Sequence, residues 1–248
     1  MKKIKIGLVI LGSLALVGLI LSGAIYAQTV NPLQLQGKLI ALDAGHGGDE
    51  WGAQYPANSG KDAQIYEKDV NLAVVYVLKQ KLEGVGANVV LTRKCDETIS
   101  SRKSRVDMAI EECKSVYGRK CDALVSVHHN GNTDPAYDGT MVIYNERQDK
   151  PLAIALHDAL ISALGLLDEG YDNGGYGMTV YGHLVSVLTE AYYITNAGEA
   201  TQYLNGTSTQ ACESKSVFIG DRVNQEADAL YQGLDKYFSA PPTKPGRK

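Results

Sequence analysis

The chain has little of what marks a nucleic-acid-binding protein, a zinc knuckle or a repeat architecture. Its 248 residues include 24 basic and 28 acidic side chains, so no basic excess is available for a phosphate backbone. None of its four cysteines lies in a C-x-x-C pair, and no segment of the sequence is repeated. Hydrophobic residues make up 44% and charged residues 21%, which excludes a disordered or collagen-like chain. The composition therefore predicts a globular protein with a sizeable core and no nucleic-acid partner.

The first 27 residues have the organisation of an export signal. Lys2, Lys3 and Lys5 precede an apolar run over 6–21, and small residues end at Ala27. We expect the protein to be exported, to an extracellular, periplasmic or cell-wall-associated location. Cleavage after Ala27 is the favoured reading. A membrane anchor is the alternative, because the run is close to the shortest length that spans a bilayer. Removing three lysines and no acid leaves a mature chain with a net charge of −7.

The four cysteines of an exported chain predict disulfides. Three pairings of the four cysteines are possible. Cys113 and Cys121 bracket a short polar segment that follows a predicted helix, so we favour a local bridge between these two, with Cys95 and Cys212 forming a longer one.

Strand and helix patterns alternate along residues 38–238 and predict one α/β domain with a largely parallel sheet. Residues 28–37 read as a linker and residues 239–248 as a flexible tail. Apolar runs predict strands at 38–43, 87–92, 123–127, 139–144 and 185–188. Helical spacing predicts helices from Glu67 to Gly84 and over 100–116, 150–164 and 216–238. Residues 51–66 and 171–181 read as loops.

Three ionisable residues stand at the ends of these predicted elements. His46 lies between glycines after the first strand, Glu67 begins a helix, and His128 follows the third strand. Because the ends of parallel strands meet at one edge of a sheet, we expect the three to converge there. Two imidazoles and a carboxylate form the ligand set of a catalytic zinc site. Taken singly, each has an ordinary explanation. His46 could belong to a plain glycine-rich turn, and Glu67 could be a first-turn acid that the helix dipole favours. His128 competes with its neighbour His129, because adjacent strand residues face opposite sides.

Glu190 ends the last predicted strand at the same edge of the sheet. A carboxylate beside a zinc-bound water is the natural general base, since it can take a proton from the water and return it to a leaving amine. The predicted set is therefore suited to the hydrolysis of an amide.

Four blocks of the sequence, in order, resemble those of the zinc-dependent N-acetylmuramoyl-L-alanine amidases. The first is DAGHGGDEWGA around His46, and the second runs from Glu67 to Arg93. The third is SVHHN over Ser126–Asn130, and the fourth is VLTEAYYITNAGEA over Val187–Ala200. The resemblance covers nearly all of the chain after the export signal.

This resemblance implies an activity, a cofactor and a ligand set. The family cuts the amide between the lactyl group of N-acetylmuramic acid and the first alanine of the peptidoglycan stem peptide. It implies a mixed, mostly parallel sheet with helices on both faces, Zn²⁺ held by His46, Glu67 and His128, and catalysis by Glu190. We further expect Glu50 and Asn130 to contact the substrate, peptidoglycan to be the partner, and the chain to be a monomer. A zinc peptidase acting within the stem peptide and a wall-binding protein without turnover are the alternatives.

Overall fold

A computed structural model describes residues 34–175 and 177–240 of the chain. Its strands are β1 (Leu39–Ala44), β2 (Gln54–Tyr55), β3 (Ile65–Tyr66), β4 (Asn88–Leu91), β5 (Ala123–Asn130), β6 (Thr140–Tyr144), β7 (Asp168–Asn173), β8 (Ser186–Tyr193), β9 (Thr207–Cys212) and β10 (Lys215–Ile219). Its α-helices are α1 (Glu67–Gly84), α2 (Arg102–Tyr117), α3 (Lys150–Leu164), α4 (Ala197–Leu204) and α5 (Asp221–Ser239). Short 3₁₀ helices lie at Gly60–Asp62 and Gly177–Val180.

Six strands form the central sheet in the order β4-β1-β5-β8-β6-β7. Neighbouring strands run parallel except β6 and β8, which pair antiparallel. The strands β9 and β10 form a separate hairpin, as do β2 and β3. The sheet is therefore mixed and mostly parallel, and β1, β5 and β8 lie side by side at its centre.

Two apolar cores cover the two faces of this sheet. In β1 the side chains alternate between them, because successive strand residues point to opposite faces. Ile40 and Leu42 join a core with residues of α1, α3 and α5. Leu39 and Ala41 join a second core with residues of α2 and of Gly177–Val180. The predicted fold class, a single α/β domain with a mostly parallel sheet and helices on both faces, is confirmed.

Local signals in the sequence set the ends of the helices that border the site. The acids Glu67 and Asp69 lie in the first turn of α1, where negative charge complements the helix dipole. The helix α2 starts where the Ser101 hydroxyl accepts the backbone N–H of Ser104 at 3.0 Å. It ends at Gly118, whose φ of +67° closes the helix in the left-handed region.

Both predicted disulfides are present. Cys113 near the end of α2 is joined to Cys121 just before β5, and Cys95 in the loop after β4 is joined to Cys212 at the end of β9. The second bridge connects the loop beside the site to the β9–β10 hairpin.

Parts of the chain differ from the pattern-based predictions. The loop predicted over 171–181 contains the end of β7 and a 3₁₀ helix, and the loop predicted over 51–66 contains the β2–β3 hairpin. The closing helix predicted from 216 begins at Asp221, because Ser216–Ile219 pair with Thr207–Gln210 as an antiparallel hairpin. The helix α4 is an element that the pattern did not predict.

The predicted signal or anchor over 1–27 lies outside the described residues, as do most of the predicted linker and residues 241–248 of the tail. Among the residues that are described, no helix has the length and apolarity needed to cross a membrane.

Candidate metal centre and active site

His46, Glu67 and His128 meet at the carboxyl edge of the central strands. Because β1 pairs with β5 up to Ala44 and Val127, the residues that follow on both strands emerge together. Nε2 of His46 lies 3.0 Å from Oε2 of Glu67, and Nδ1 of His128 lies 2.9 Å from Oε1 of Glu67. One donor atom from each of the three lies within 4.8 Å of the others, as in a group that can hold a metal ion.

Two glycines allow these side chains to approach so closely. A Cβ at position 45 would lie 2.3 Å from the ring of His128. A Cβ at position 52 would lie 2.3 Å from Oε2 of Glu67 and 2.7 Å from a ring carbon of His46. Gly52 also has a φ of +72°, which favours glycine. Side chains at either position would occupy the space where the three donors meet.

Two buried arginines hold the loop that carries His46. The loop needs this support because His46 has a φ of +60°, a left-handed conformation that costs free energy for residues other than glycine. Arg93 donates to the carbonyls of Ala44 at 2.7 Å and Gly45 at 3.0 Å. Arg105 donates to the carbonyls of Ala44 and His46. Three successive carbonyls are therefore bound by guanidinium groups, and the imidazole is held in place.

Glu67 is a buried carboxylate surrounded by donors. Its side chain is 5% exposed, and it accepts the backbone N–H of Ala53 at 2.8 Å and of His129 at 3.2 Å. Burial alone would raise its pKa, but the hydrogen bonds and charges of His128 and His46 outweigh burial and hold the pKa well below its ordinary value. Glu67 is therefore ionised at neutral pH. The pKa of His46 is raised in turn. Burial would lower this pKa, but the hydrogen bond and the negative charge of Glu67 outweigh burial.

Glu190 lies beside the three donors on the neighbouring strand. In the parallel pairing of β5 with β8, it is the register partner of His128. Its side chain is half-buried, and its Oε2 has no hydrogen-bond partner among the described residues. Burial, together with the negative charges of Glu67 and Glu169, raises its pKa well above the ordinary value of a glutamate. This carboxyl group has the high proton affinity that acid–base chemistry requires.

The two residues predicted to contact the substrate lie at different places around the donors. Oε1 of Glu50 is 3.4 Å from Nδ1 of His46, and the Glu50 side chain is 61% exposed. This is a close contact and not a hydrogen bond, because Nδ1 of His46 has no hydrogen-bond partner among the described residues. Asn130 is two residues beyond His128 and so shares its face of β5, and its Oδ1 accepts the N–H of Gly131 at 3.1 Å. Their contact with the substrate stays a prediction.

The other histidines are engaged elsewhere. His129 faces away from the donors, as strand alternation predicts, and is fully buried. Nε2 of His157 lies 2.8 Å from a carboxylate oxygen of Asp168. His183 is 89% exposed, and its Nδ1 lies 2.6 Å from Glu146.

A line of buried hydrogen bonds supports Glu67 from behind, and sequence reasoning did not identify it. Asn71 donates from its Nδ2 to Oε1 of Glu67 at 3.2 Å and to the carbonyl of Gly45 at 3.1 Å. Its Oδ1 lies 2.7 Å from Nδ1 of His129, whose Nε2 lies 2.8 Å from Oε2 of Glu226 on α5. The spacing of four between Glu67 and Asn71 was a signal for the first contact. No local pattern points to Glu226, which lies 97 residues from His129.

A cleft of about 280 Å³ adjoins the donors on the side of the 52–58 loop. Gly52 and Ala53, which contact Glu67, belong to its lining. Its lining is Gly52, Ala53, Gln54, Ala57, Asn58, Gly131, Asn132, Thr133 and Thr195. The polar lining suits a hydrogen-bonding ligand that extends beyond the donors.

Known proteins resemble this chain along most of its length. Residues 40–217 match the model of the N-acetylmuramoyl-L-alanine amidase family. The "Uncharacterized protein YqiI" of Bacillus subtilis is 31% identical over 91% of this chain and 96% of its own length. The N-acetylmuramoyl-L-alanine amidase LytC of Bacillus subtilis is 31% identical over 71% of this chain, which spans 33% of LytC. The probable cell wall amidase LytH of Staphylococcus aureus is 30% identical over 85% of this chain and 61% of LytH.

Solved structures of N-acetylmuramoyl-L-alanine amidases also resemble this chain in fold. The catalytic domain of CwlV, an N-acetylmuramoyl-L-alanine amidase from Bacillus (Paenibacillus) polymyxa var. colistinus, superposes with a TM-score of 0.63 at 27% identity. The match covers 81% of this chain and 97% of that domain. The CwlD amidase of Clostridioides difficile, solved in complex with the GerS lipoprotein, gives a TM-score of 0.61 at 25% identity. That match covers 82% of this chain and 99% of CwlD. With the family model matching well over half of its residues, this chain belongs to the N-acetylmuramoyl-L-alanine amidase family.

Proposed function

We propose that the chain hydrolyses the amide between N-acetylmuramic acid and L-alanine in peptidoglycan, with Zn²⁺ as cofactor and Glu190 as general base. The observation that carries the proposal is the convergence of His46, Glu67 and His128 within 4.8 Å, with Glu190 as the strand partner of His128. Membership of the amidase family and the names of its cell-wall relatives support the choice of substrate.

The three donors fit zinc by their chemistry. Two imidazole nitrogens and one ionised carboxylate are a catalytic zinc set, which leaves a position open for water or substrate. The imidazoles of His46 and His128 are 20% and 17% exposed, so the donors can be reached from solvent, whereas Glu67 is supported from the protein side. A zinc ion held there would supply Lewis acidity, lowering the pKa of water and polarising the amide carbonyl.

In this proposal Glu190 carries the proton. Its raised pKa makes the carboxylate a stronger base than an exposed glutamate, so it can take the proton of the attacking water. The free Oε2 has no competing partner among the described residues. The same oxygen then gives the proton to the departing amine of alanine, so that the amine leaves neutral.

Digestion of purified peptidoglycan, followed by mass spectrometry of the products, tests this function. The zinc-loaded chain should release peptides with a free N-terminal L-alanine and leave glycan with an intact lactyl group. A chelator should stop the reaction, and added Zn²⁺ should restore it. The Glu190→Gln variant should keep zinc but lose activity by a factor of about 10² to 10⁴.

Glu146→Gln is the matched control, because this half-buried glutamate pairs with the exposed His183 and has no part in the proposed chemistry. It should cleave like the wild type. Cleavage between two amino acids of the stem would instead identify a zinc peptidase. Stoichiometric zinc with no product from any peptidoglycan would favour a wall-binding protein, and near wild-type activity of Glu190→Gln would remove its assignment as the base.

We also propose that the chain acts outside the cytoplasm as a monomer, with 1–27 as a signal or anchor and 38–238 as the catalytic domain. The two disulfides support an oxidising location, since cytoplasmic thiols are kept reduced. Cell fractionation with N-terminal sequencing should find the chain outside the cytoplasm and decide between cleavage and anchoring. Light scattering of the purified chain should give the mass of one copy, and a dimer mass would contradict the monomer.

A further inference from the structure

The chain has one tryptophan, Trp51, which stands between Glu50 and Gly52 in the loop that borders the candidate site. Its side chain is 36% exposed and can be reached by a ligand. Both of its chain neighbours touch the donors. Glu50 reaches His46 at 3.4 Å, and Gly52 packs against Glu67. The residues on both sides of Trp51 in the chain therefore contact proposed metal ligands.

Tyr66 fixes the position of this indole. The two ring centroids are 5.6 Å apart with the planes tilted by 53°. The Tyr66 hydroxyl donates to the carbonyl of Lys61 at 2.9 Å, and the ammonium group of Lys68 lies 5.9 Å from the Tyr66 ring. The backbone N–H of Lys68 also donates to the carbonyl of Trp51 at 3.2 Å. These contacts hold Tyr66 in place, and its ring packs against the indole of Trp51. We call the pair Trp51 and Tyr66 the aromatic platform.

Two acidic side chains stand next to the platform in the chain, whereas the ammonium group of Lys68 near Tyr66 is already paired with Asp96 at 2.8 Å. Asp49 and Glu50 precede Trp51, and both are exposed. Carboxylates accept hydrogen bonds from hydroxyl and amide N–H groups, and they repel the carboxylates that peptides carry at their C-termini and acidic side chains. A neutral, hydroxyl-rich ligand therefore suits this loop better than the peptide portion of peptidoglycan.

We propose that the aromatic platform binds a pyranose ring of the N-acetylated amino sugars in the glycan strand, a proposal that rests on the proposed function. In the muramyl substrate only one carbon and one ether oxygen separate the reacting carbonyl from the sugar ring. A sugar must therefore lie beside the donors during the reaction. A pyranose ring presents a face of C–H groups that packs on the flat indole, while its hydroxyls reach Glu50.

The emission of Trp51 is a direct probe, because no other tryptophan contributes to it. The zinc-loaded full-length chain is titrated with a linear tetramer of N-acetylglucosamine, which has pyranose rings but no muramyl amide. A saturable change in emission is expected. Trp51→Leu should raise the KM for peptidoglycan about five- to tenfold and change kcat less than about twofold, and Trp51→Tyr should restore most of the difference.

Tyr117→Leu is the matched control, because Tyr117 is an equally exposed aromatic residue at the end of α2. It should leave KM unchanged. An emission that does not respond to the tetramer, or that responds only to an L-alanyl stem peptide, would overturn the proposal, as would an unchanged KM in Trp51→Leu. If the wild type fails to cut peptidoglycan but its emission still responds to the tetramer, the proposed reaction is wrong and the sugar site stands.

Discussion

The buried pair of His129 and Glu226 allows a sharp test of how the protein core supports the candidate site. Both side chains are fully buried, and their 2.8 Å contact joins β5 to α5. Replacing Glu226 by leucine leaves Nε2 of His129 buried without its hydrogen-bond partner, and an unsatisfied buried polar group costs about 1–3 kcal/mol. Because domains are stable by about 5–15 kcal/mol, Glu226→Leu should lose a measurable part of its free energy of unfolding.

The double variant His129→Leu/Glu226→Leu should be more stable than His129→Leu alone, because it does not leave the carboxyl group of Glu226 buried without a partner. Replacing both partners of a buried hydrogen bond by apolar groups can be nearly neutral or stabilising. What remains is the loss of the donor to Oδ1 of Asn71, which costs about 1–3 kcal/mol as an unsatisfied buried group. The free energy lost by the double variant should therefore lie well below the sum of the two single losses.

Urea unfolding followed by circular dichroism measures these differences. Asp228→Asn, on the same helix, removes a surface ion pair with Lys81 and should cost at most about 1 kcal/mol. A second measurement is zinc affinity, which should fall about 10- to 100-fold in His129→Leu because Asn71 loses the contact that orients its amide toward Glu67. Additive losses of stability, or unchanged zinc affinity, would refute the reasoning.

Two further predictions follow from single contacts. Gly52→Ala should lose zinc binding and activity, because its Cβ would overlap Glu67 and His46; Gly60→Ala, at a φ of +60° with open space around it, is the control and should keep both. Burial would raise the pKa of Asp43, but Arg105 with hydrogen bonds from Ser126 and Thr92 outweighs burial and lowers it. The stability from this lowered pKa is present above the ordinary value of 3.8 and is lost as pH falls through the folded value. Urea unfolding between pH 6 and pH 3 should therefore show a steeper loss for the wild type than for Asp43→Asn, and parallel curves would contradict this.

The parts of the fold that local signals determine were predictable from the sequence. The helix α3 has the predicted bounds of 150 and 164, because a regular apolar spacing ends at Gly165, whose φ of +68° closes the helix. The meeting of His46 and His128 followed from parallel topology alone, since adjacent parallel strands end at the same edge. Both results needed only patterns within a few residues and one general rule of sheet architecture.

The parts that depend on distant pairing were not predictable. The strand β7 reads DEGYDN and is mostly exposed, so it lacks the apolar alternation that marks a strand and forms only by pairing with β6 at the edge of the sheet. The sequence predicts that Ser216–Ile219 belong to the closing helix, but in the folded chain they pair with β9 as a strand. The contact between Glu226 and His129 could not be predicted from the sequence for the same reason, because α5 reaches β5 only in the folded chain.

The adjacent histidines at 128 and 129 connect the core to the candidate site through the register of β5. Since successive strand residues face opposite sides, one residue of slip would turn His129 toward Glu67 and His128 toward α5. The slip would also remove the imidazole of His129 from its place between Asn71 and Glu226. Both of these buried side chains would then lack a hydrogen-bond partner, which costs free energy. The buried pair of His129 and Glu226 therefore stabilises the register in which His128 faces Glu67. A stability measurement on Glu226 is, for this reason, also a measurement of how firmly the chain specifies which histidine faces the candidate site.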